Sequence, residues 1–293
     1  MAFKSGFATV VGRPNVGKST LVNNIVGEKI SIISSKPQTT RNKLHMIYTS
    51  DKGQIVFVDT PGIHKPKNEL DEYMLDEVDS SLKGIDIILF LVDATSSFGS
   101  GDNFIFKKIK NSEKPVILVM NKIDKVDNKI LLKRKENYEK HTDLEVIPVS
   151  STQRKNFNSL LDEIFARLPE GPQYYPEDMI TDQIERFIIQ DIVREKIFHY
   201  TRDEIPYGTA VLIEEMKERE NEDIYIRANI YVEQKSHKGI IIGKNGKMIR
   251  KIGKEARGDI EDLLQSNIYL DLWVKVEKNW REKEYLVERM GYK

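Results

Sequence analysis

Apolar residues in the first half of the chain come in short unbroken runs rather than in strict alternation. Phe7 to Val11, Ile55 to Val58, Val116 to Met120 and Val146 to Val149 each read as a strand buried on both faces. Strands are predicted at about 7 to 11, 44 to 49, 54 to 58, 86 to 92, 115 to 120 and 145 to 149. Helical periodicity occupies the intervals, at roughly 18 to 26, 70 to 82, 102 to 111, 128 to 140 and 156 to 168. Strands alternating with helices predict βαβ crossovers and an α/β architecture, a mainly parallel sheet with helices on both faces.

The pattern breaks at Pro169-Glu170-Gly171-Pro172-Gln173-Tyr174-Tyr175-Pro176, where three prolines and a glycine stop the helix. Three segments are predicted: a first domain over 1–169, a linker over 170–180 and a second domain over 181–293. A helix is expected over Asp182 to Tyr200, opened by a capping-box pair, Asp182 and Glu185. Its apolar face would carry Ile184, Phe187, Ile188, Ile192 and Val193. Strand-like segments follow at 209 to 216 and 224 to 232, then two helices around Gly243-Lys244-Asn245-Gly246, a strand at 268 to 276 and a mixed-charge helix at 279 to 290. The order αββααβ is that of a type II KH domain, an α+β fold.

Composition adds exclusions. With 293 residues, no cysteine and five histidines, the chain offers two domains' worth of core, no disulfides, no thiolate metal sites and no zinc cluster. No apolar run approaches the ~18 residues of a membrane span, and Met1 to Lys4 lacks a cleavable signal pattern. A cytosolic protein, acting as a monomer, is expected. The formal net charge is zero, so any affinity for a polyanion must be local.

Gly12-Arg13-Pro14-Asn15-Val16-Gly17-Lys18-Ser19 directly follows the first strand and opens the first helix. That order aims backbone N–H groups and a positive helix end at one anion, which is the phosphate-loop arrangement. Lys18 is then placed for the β- and γ-phosphates, Ser19 for Mg²⁺, and Thr20 for the first helical turn beside them. Asp59-Thr60-Pro61-Gly62 ends the Ile55 to Val58 run, where a carboxylate can hold the magnesium through water; read by itself, this phrase is an ordinary turn.

Asn121-Lys122-Ile123-Asp124 ends the Val116 run at the carboxyl edge of the sheet. A carboxylate at Asp124 can accept from the ring N–H and exocyclic amine of guanine, a pair that adenine lacks. Bound ATP would leave that carboxylate desolvated and unpaired, so GTP and GDP are the expected ligands. Ser150 and Ser151 follow the next strand and would touch the base through a hydroxyl and a backbone N–H.

In the second domain, Gly243-Lys244-Asn245-Gly246 lies between two short helices and inside a basic run. Between Lys238 and Arg257 the cations are Lys238, Lys244, Lys247, Arg250, Lys251, Lys254 and Arg257, against the single acid Glu255. Gly239, Gly243 and Gly246 would allow close backbone approach, while Lys244, Asn245 and nearby N–H groups meet the sugar-phosphate of about four nucleotides. Ile240, Ile241, Ile242 and Ile249 could floor the groove or belong to the core. Single-stranded RNA is the expected partner.

The four nucleotide phrases in this order resemble the GTPase superfamily, and the wording GRPNVGKS with DTPG resembles its translation-associated branch. With PEGPQYYPEDMITDQIERF, VREKIF, DEIPYGTAV and GIIIGKNGKMIRKIG, the chain resembles the Era family over nearly its whole length. The resemblance implies a GTP-hydrolysing switch that binds the 3′ end of 16S rRNA and assists assembly of the 30S subunit, with peripheral membrane association. It also implies that Thr40 binds magnesium, with Thr39 the alternative, and that Asn15 holds potassium beside the phosphates. Lys18, Asn15, Thr40 and Gly62 are its catalytic set.

Two departures matter. Ser151 stands where the family usually has alanine, which leaves a backbone contact intact. Ile63 stands where small signalling GTPases carry a glutamine that orients water, so intrinsic hydrolysis should be slow. His64 reads as solvated surface rather than as a base. The rival reading is a signalling GTPase that acts through a protein effector or at a membrane surface.

Overall fold

The computed structural model describes residues 2–34, 36, 38–219 and 223–292, and the chain divides into two compact units. Residues 1–66 and 74–182 form the first, and residues 67–73 and 183–293 the second.

The first unit begins with β1 (Lys4–Val11), α1 (Lys18–Val26), β2 (Leu44–Ser50) and β3 (Gly53–Asp59). It continues through α2 (Glu69–Ser81, divided between the units), β4 (Ile87–Asp93), α3 (Ser100–Lys110) and β5 (Val116–Asn121), and ends with α4 (Asn128–Thr142), β6 (Val146–Pro148) and α5 (Phe157–Arg167). The sheet order is β2-β3-β1-β4-β5-β6, parallel except for β2 against β3. The apolar runs explain the burial: β3 is buried at every position and β4 at all but its last, as strands covered on both faces must be. Packing of Ile88, Phe90, Leu118, Met120, Ile105 and Ile109 between β4, β5 and α3 makes one side of this core.

The segment expected as a linker is hydrogen-bonded to the first unit. Ser5 N–H donates to Pro169 O at 3.2 Å, and Gln54 Oε1 accepts from the N–H groups of Tyr174 and Tyr175 at 2.9 and 3.0 Å. Ile47 N–H donates to Ile180 O at 2.9 Å on the outer edge of β2. Residues 170–182 thus form a strap pinned to the first unit at Gly171, Tyr174, Tyr175 and Ile180.

The second unit contains α6 (Glu185–Tyr200), β7 (Thr209–Glu218), β8 (Ile224–Val232), α7 (Lys235–Ile242), α8 (Lys247–Leu264), β9 (Ile268–Val276) and the short α9 (Glu284–Arg289). Its sheet runs β7-β8-β9, antiparallel then parallel. The predicted capping box does not form: α6 starts at Glu185 with no side-chain cap, because Asp182 instead meets His45 Nδ1 at 2.7 Å and the Tyr175 hydroxyl at 2.9 Å. Of the predicted apolar face, Ile188, Ile192 and Val193 are buried, whereas Ile184, just before the helix, and Phe187, in its first turn, are exposed. The expected terminal helix is a 3-10 turn at Trp280–Glu282 followed by α9, with Trp280, Leu286, Val287 and Met290 buried. No helix among the described residues is long and apolar enough to cross a membrane.

Candidate functional site

A cleft of about 300 Å³ opens at the carboxyl ends of the parallel strands of the first unit. Asn15, Gly17, Lys18, Ser19 and Thr20 line it from the loop after β1, Thr39, Thr40 and Gly62 from the loops flanking β2 and β3, and Asn121, Lys122, Asp124 and Ser151 from those after β5 and β6. Residues dispersed over more than a hundred positions therefore share one cavity.

At one end, Asp59 Oδ2 accepts from the Ser19 and Ser31 hydroxyls, each at 2.7 Å, and from Thr40 Oγ1 at 3.4 Å. Thr40 Oγ1 also lies 3.0 Å from Ser19 Oγ. Burial pushes the Asp59 carboxyl up from its ordinary range, while Lys18 and the three hydroxyls pull it down. Asp59 Oδ1 is buried and has no hydrogen-bond partner among the described residues. A carboxylate with one oxygen orphaned and hydroxyls on the other is a hard oxygen donor set, which suits Mg²⁺ and no thiophilic metal. Ser31 was not anticipated; a lone serine in a polar loop carries no spacing signal.

Lys18 is buried and folds over its own loop, its ammonium 3.4 Å from the carbonyls of Gly12 and Arg13. Burial lowers its pKa from 10.5 to about 8, opposed by the attraction of Asp59. Arg13 and Thr60 turn their side chains elsewhere. Arg13 Nε lies 2.9 Å from Asp102 and its Nη2 donates to Ser96 at 2.6 Å, while the Thr60 hydroxyl donates to Val10 O at 2.8 Å. Gly12, Val16 and Pro61 likewise do not line the cleft, nor do Asp59 and Ser150, which reach it only through the Ser19 and Thr40 hydroxyls and through Asp124.

At the other end, Asp124 Oδ1 accepts from the Ser150 hydroxyl at 2.5 Å. Asn121 works as a clamp: its Nδ2 donates to Val16 O at 2.9 Å, and its Oδ1 accepts from Ser151 N–H at 2.9 Å and Ser151 Oγ at 2.8 Å. The serine at 151 thus adds a second bond to the clamp that an alanine would lack. Lys122 Nζ donates to Asn15 O at 2.5 Å and to Asp93 at 2.7 Å. Burial would raise the Asp93 carboxyl, yet the bonds from Lys122 and Thr95 leave it lowered.

Ile63 is buried in the core cluster and presents no polar group to the cleft. His64, expected as solvated, is partly buried: its Nδ1 lies 3.1 Å from Gly62 O and its Nε2 lies 2.9 Å from Gln38 Nε2. Because a carbonyl can only accept, Nδ1 carries the proton and Nε2 accepts from the Gln38 amide.

In the second unit the Gly243–Gly246 segment is a tight 3-10 turn between α7 and α8, with φ of 69° at Gly243 and 53° at Asn245. A Cβ at Gly243 would sit 2.7 Å from Met248 Cβ, so a larger residue there would break the turn. Lys244, Asn245 and Lys247 are exposed, and Arg250 bonds back to the carbonyls of Asn245 and Gly246. Lys251 Nζ sits 4.1 Å above the Tyr200 ring, so this cation is held beside the turn rather than on it. Gly239 and Ile240 are exposed and Lys238, Ile242 and Ile249 are half-buried, whereas Ile241 is core.

Comparison with known proteins follows these two sites. Residues 7–122 match the model of the 50S ribosome-binding GTPase family, and residues 204–281 match the KH domain model. GTPase Era of Halothermothrix orenii is 61% identical over 293 residues, 100% of both chains. GTPase Era of Alkaliphilus metalliredigens is 52% identical over 295 residues, again 100% of each. Among solved structures, a tyrosine-to-alanine variant of Aquifex aeolicus Era bound to GDP·AlF₄⁻ superposes with a TM-score of 0.96 at 42% identity, with 99% of each chain covered. A structure of Era with MgGDPNP and nucleotides 1506–1542 of 16S ribosomal RNA gives the same TM-score, identity and coverage.

Proposed function

The chain belongs to the GTPase Era family, and on that premise we propose how its own residues bind GTP, hydrolyse it and tie its state to RNA. It is a GTPase that uses GTP, GDP and Mg²⁺ and acts on the 3′ end of 16S rRNA in assembly of the 30S subunit. The observation that carries the residue assignments is the single cleft lined at one end by Ser19 and Thr40, whose hydroxyls are bonded to the buried Asp59, and at the other by Asp124.

The guanine end is read by Asp124, aimed by Ser150, with the Asn121 clamp holding the base loop against the phosphate loop. The phosphates lie along the N–H groups of residues 15–19, where the start of α1 favours an anion. Lys18, already desolvated, neutralises charge that grows on the β–γ bridging oxygen as the P–O bond breaks, water oxygen bonds to phosphorus and the water's proton passes to an oxygen of the departing phosphate. Ser19, Thr40 and Asp59 would hold Mg²⁺, which would supply further charge neutralisation. Neither Ile63 nor the base loop offers a group to orient the water, so the intrinsic rate is slow. Asn15, at the phosphate-loop tip, would hold K⁺ as an additional positive charge.

RNA enters on the Gly243–Gly246 turn, with Lys244, Asn245 and Lys247 facing phosphates and Ile240 facing a base. GTP strengthens RNA binding if both favour one conformation, and linkage makes the effect mutual. Peripheral membrane contact would use charged side chains, because α9 turns Leu286, Val287 and Met290 inward; co-sedimentation with anionic vesicles tests it.

The decisive experiment measures binding of a 3′-terminal rRNA fragment with GTP analogue, GDP and no nucleotide, over a salt series. Affinity should fall steeply with salt and depend on nucleotide. The double variant Lys244→Asp, Asn245→Asp should lose RNA while keeping GTP; wild-type RNA affinity in that variant would refute the turn assignment.

A further inference from the structure

The three-stranded sheet of the second unit has one face packed on α6 and α8 and an outer face with an ordered array of rings and cations. Register places Lys217, Tyr225 and Tyr269 in one row, Glu215, Arg227 and Asp271 in the next, and Asn229 beside Trp273 in a third. Tyr225 and Tyr269 stack at 5.9 Å with planes 16° apart, and the Arg219 guanidinium lies 4.9 and 4.7 Å from the two ring centres. Tyr269 is 53% exposed and Trp273 56% exposed, which is costly for rings this large unless something covers them.

Asp271 holds the array in place. Its Oδ2 accepts from Trp273 Nε1 at 2.9 Å and Tyr225 OH at 3.1 Å, and it lies 3.4 Å from Arg227 Nε. The rings are therefore fixed before any ligand arrives, which lowers the entropy lost on stacking. The acids on this face, Glu214, Glu215 and Asp271, are each paired with Lys275, Lys217 or Arg227, which leaves Arg219, lying over the rings, as the cation in excess. A guanidinium beside exposed planar rings complements a strand of bases and phosphates.

We propose that this outer face is a second RNA platform, on which bases of the strand leaving the Gly243–Gly246 turn stack against Trp273, Tyr269 and Arg219. The inference rests on the RNA reading above. A glycine turn of this kind clamps about four nucleotides, whereas the RNA in the Era complex spans nucleotides 1506–1542, far more than one turn can hold. α7, which delivers the turn, packs against β9, and β9 is the edge strand that carries Tyr269 and Trp273 on its outer face, so a strand leaving the turn reaches the rings by crossing this one edge.

The chain contains two tryptophans, Trp273 on this face and Trp280 buried, so a change in emission on RNA binding reports Trp273. Full-length protein with a GTP analogue is titrated with the 1506–1542 RNA. Saturating RNA should quench most of the Trp273 emission, and Trp273→Ala should weaken binding about five- to a hundredfold, the worth of one stacked base. Trp273→Phe should restore near wild-type affinity, which a merely structural role of the indole N–H would not allow. Binding without quenching, or equal affinity in Trp273→Ala, overturns the platform. If Lys244→Asp, Asn245→Asp loses binding while Trp273 proves neither quenched nor needed, the turn stands and the platform falls. If that double variant keeps its affinity while Trp273 is quenched, the platform stands and the turn falls.

Discussion

Ser150 Oγ donates to Asp124 Oδ1 at 2.5 Å, which makes the serine the aiming device of the carboxylate that selects the base. Ser150→Ala should leave the fold intact and weaken GTP and GDP by about 1.5 to 3 kcal/mol, the range for hydrogen bonds to charged groups. ATP, which makes no bond to that carboxylate, should lose little. Calorimetry with all three nucleotides checks this; parallel losses for GTP and ATP would contradict the aiming role.

Lys18 gives a pH dependence of opposite sign for folding and for binding. Its pKa falls from 10.5 in the unfolded chain to about 8 in the folded, nucleotide-free protein, through burial. Between those values the unfolded state holds more protons, so this lysine makes the free protein more stable as pH rises from about 8 to 10.5. Polyphosphate favours the ammonium, so nucleotide binding in that window takes up a proton and weakens by up to about tenfold per pH unit. Titrations near pH 9 in buffers of different ionisation enthalpy should yield different heats; identical heats would show that no proton is taken up.

Ser31 shares Asp59 Oδ2 with Ser19, both at 2.7 Å. With Ser19 and Thr40 turned to Mg²⁺, Ser31 would remain as the donor that anchors the carboxylate. Ser31→Ala should therefore raise the Mg²⁺ concentration for half-maximal hydrolysis several-fold, equivalent to about 1 kcal/mol. An unchanged magnesium dependence would reduce Ser31 to packing.

A Cβ on Gly62 would fall 2.9 Å from both Cα and Cγ of Pro14, in the middle of the phosphate loop. Neither loop can yield without moving backbone, so Gly62→Ala should hold the two loops apart. GDP binding should survive within a few-fold, while single-turnover hydrolysis falls by at least about tenfold. Equal rates in the variant would mean that the loops need not approach.

Asn15 should decide cation dependence. Hydrolysis is expected to run on the order of tenfold faster in K⁺ than in Na⁺, through added charge beside the phosphates, and Asn15→Ala should erase the difference. Equal wild-type rates in the two salts would dispose of the potassium site.

Local signals made much of this legible before any coordinates. Buried-strand runs place β1, β3, β5 and β6, and the motifs at their ends converge because loops after parallel strands share one edge of the sheet. What stayed hidden was set by long-range partners. Asp182 and Glu185 have capping-box spacing, but His45, 137 positions away, takes the aspartate. Arg13 sits in the phosphate loop, yet Asp102 draws its side chain aside. Ser31 and the Gln38–His64 pair become visible only when the loops on either side of β2 and β3 are brought together. Likewise Trp273 and Tyr269 read as ordinary strand residues until cross-strand register shows Asp271 gripping their neighbours.

The strap over residues 170–182 has one more effect. β2 is the outermost strand of its sheet, and an uncovered outermost strand recruits strands from other molecules. Ile180 and Thr181 occupy that rim through Ile47 and His45. A fragment ending at Pro169 would keep the nucleotide cleft and bare the rim, so it should oligomerise where the intact chain stays dispersed.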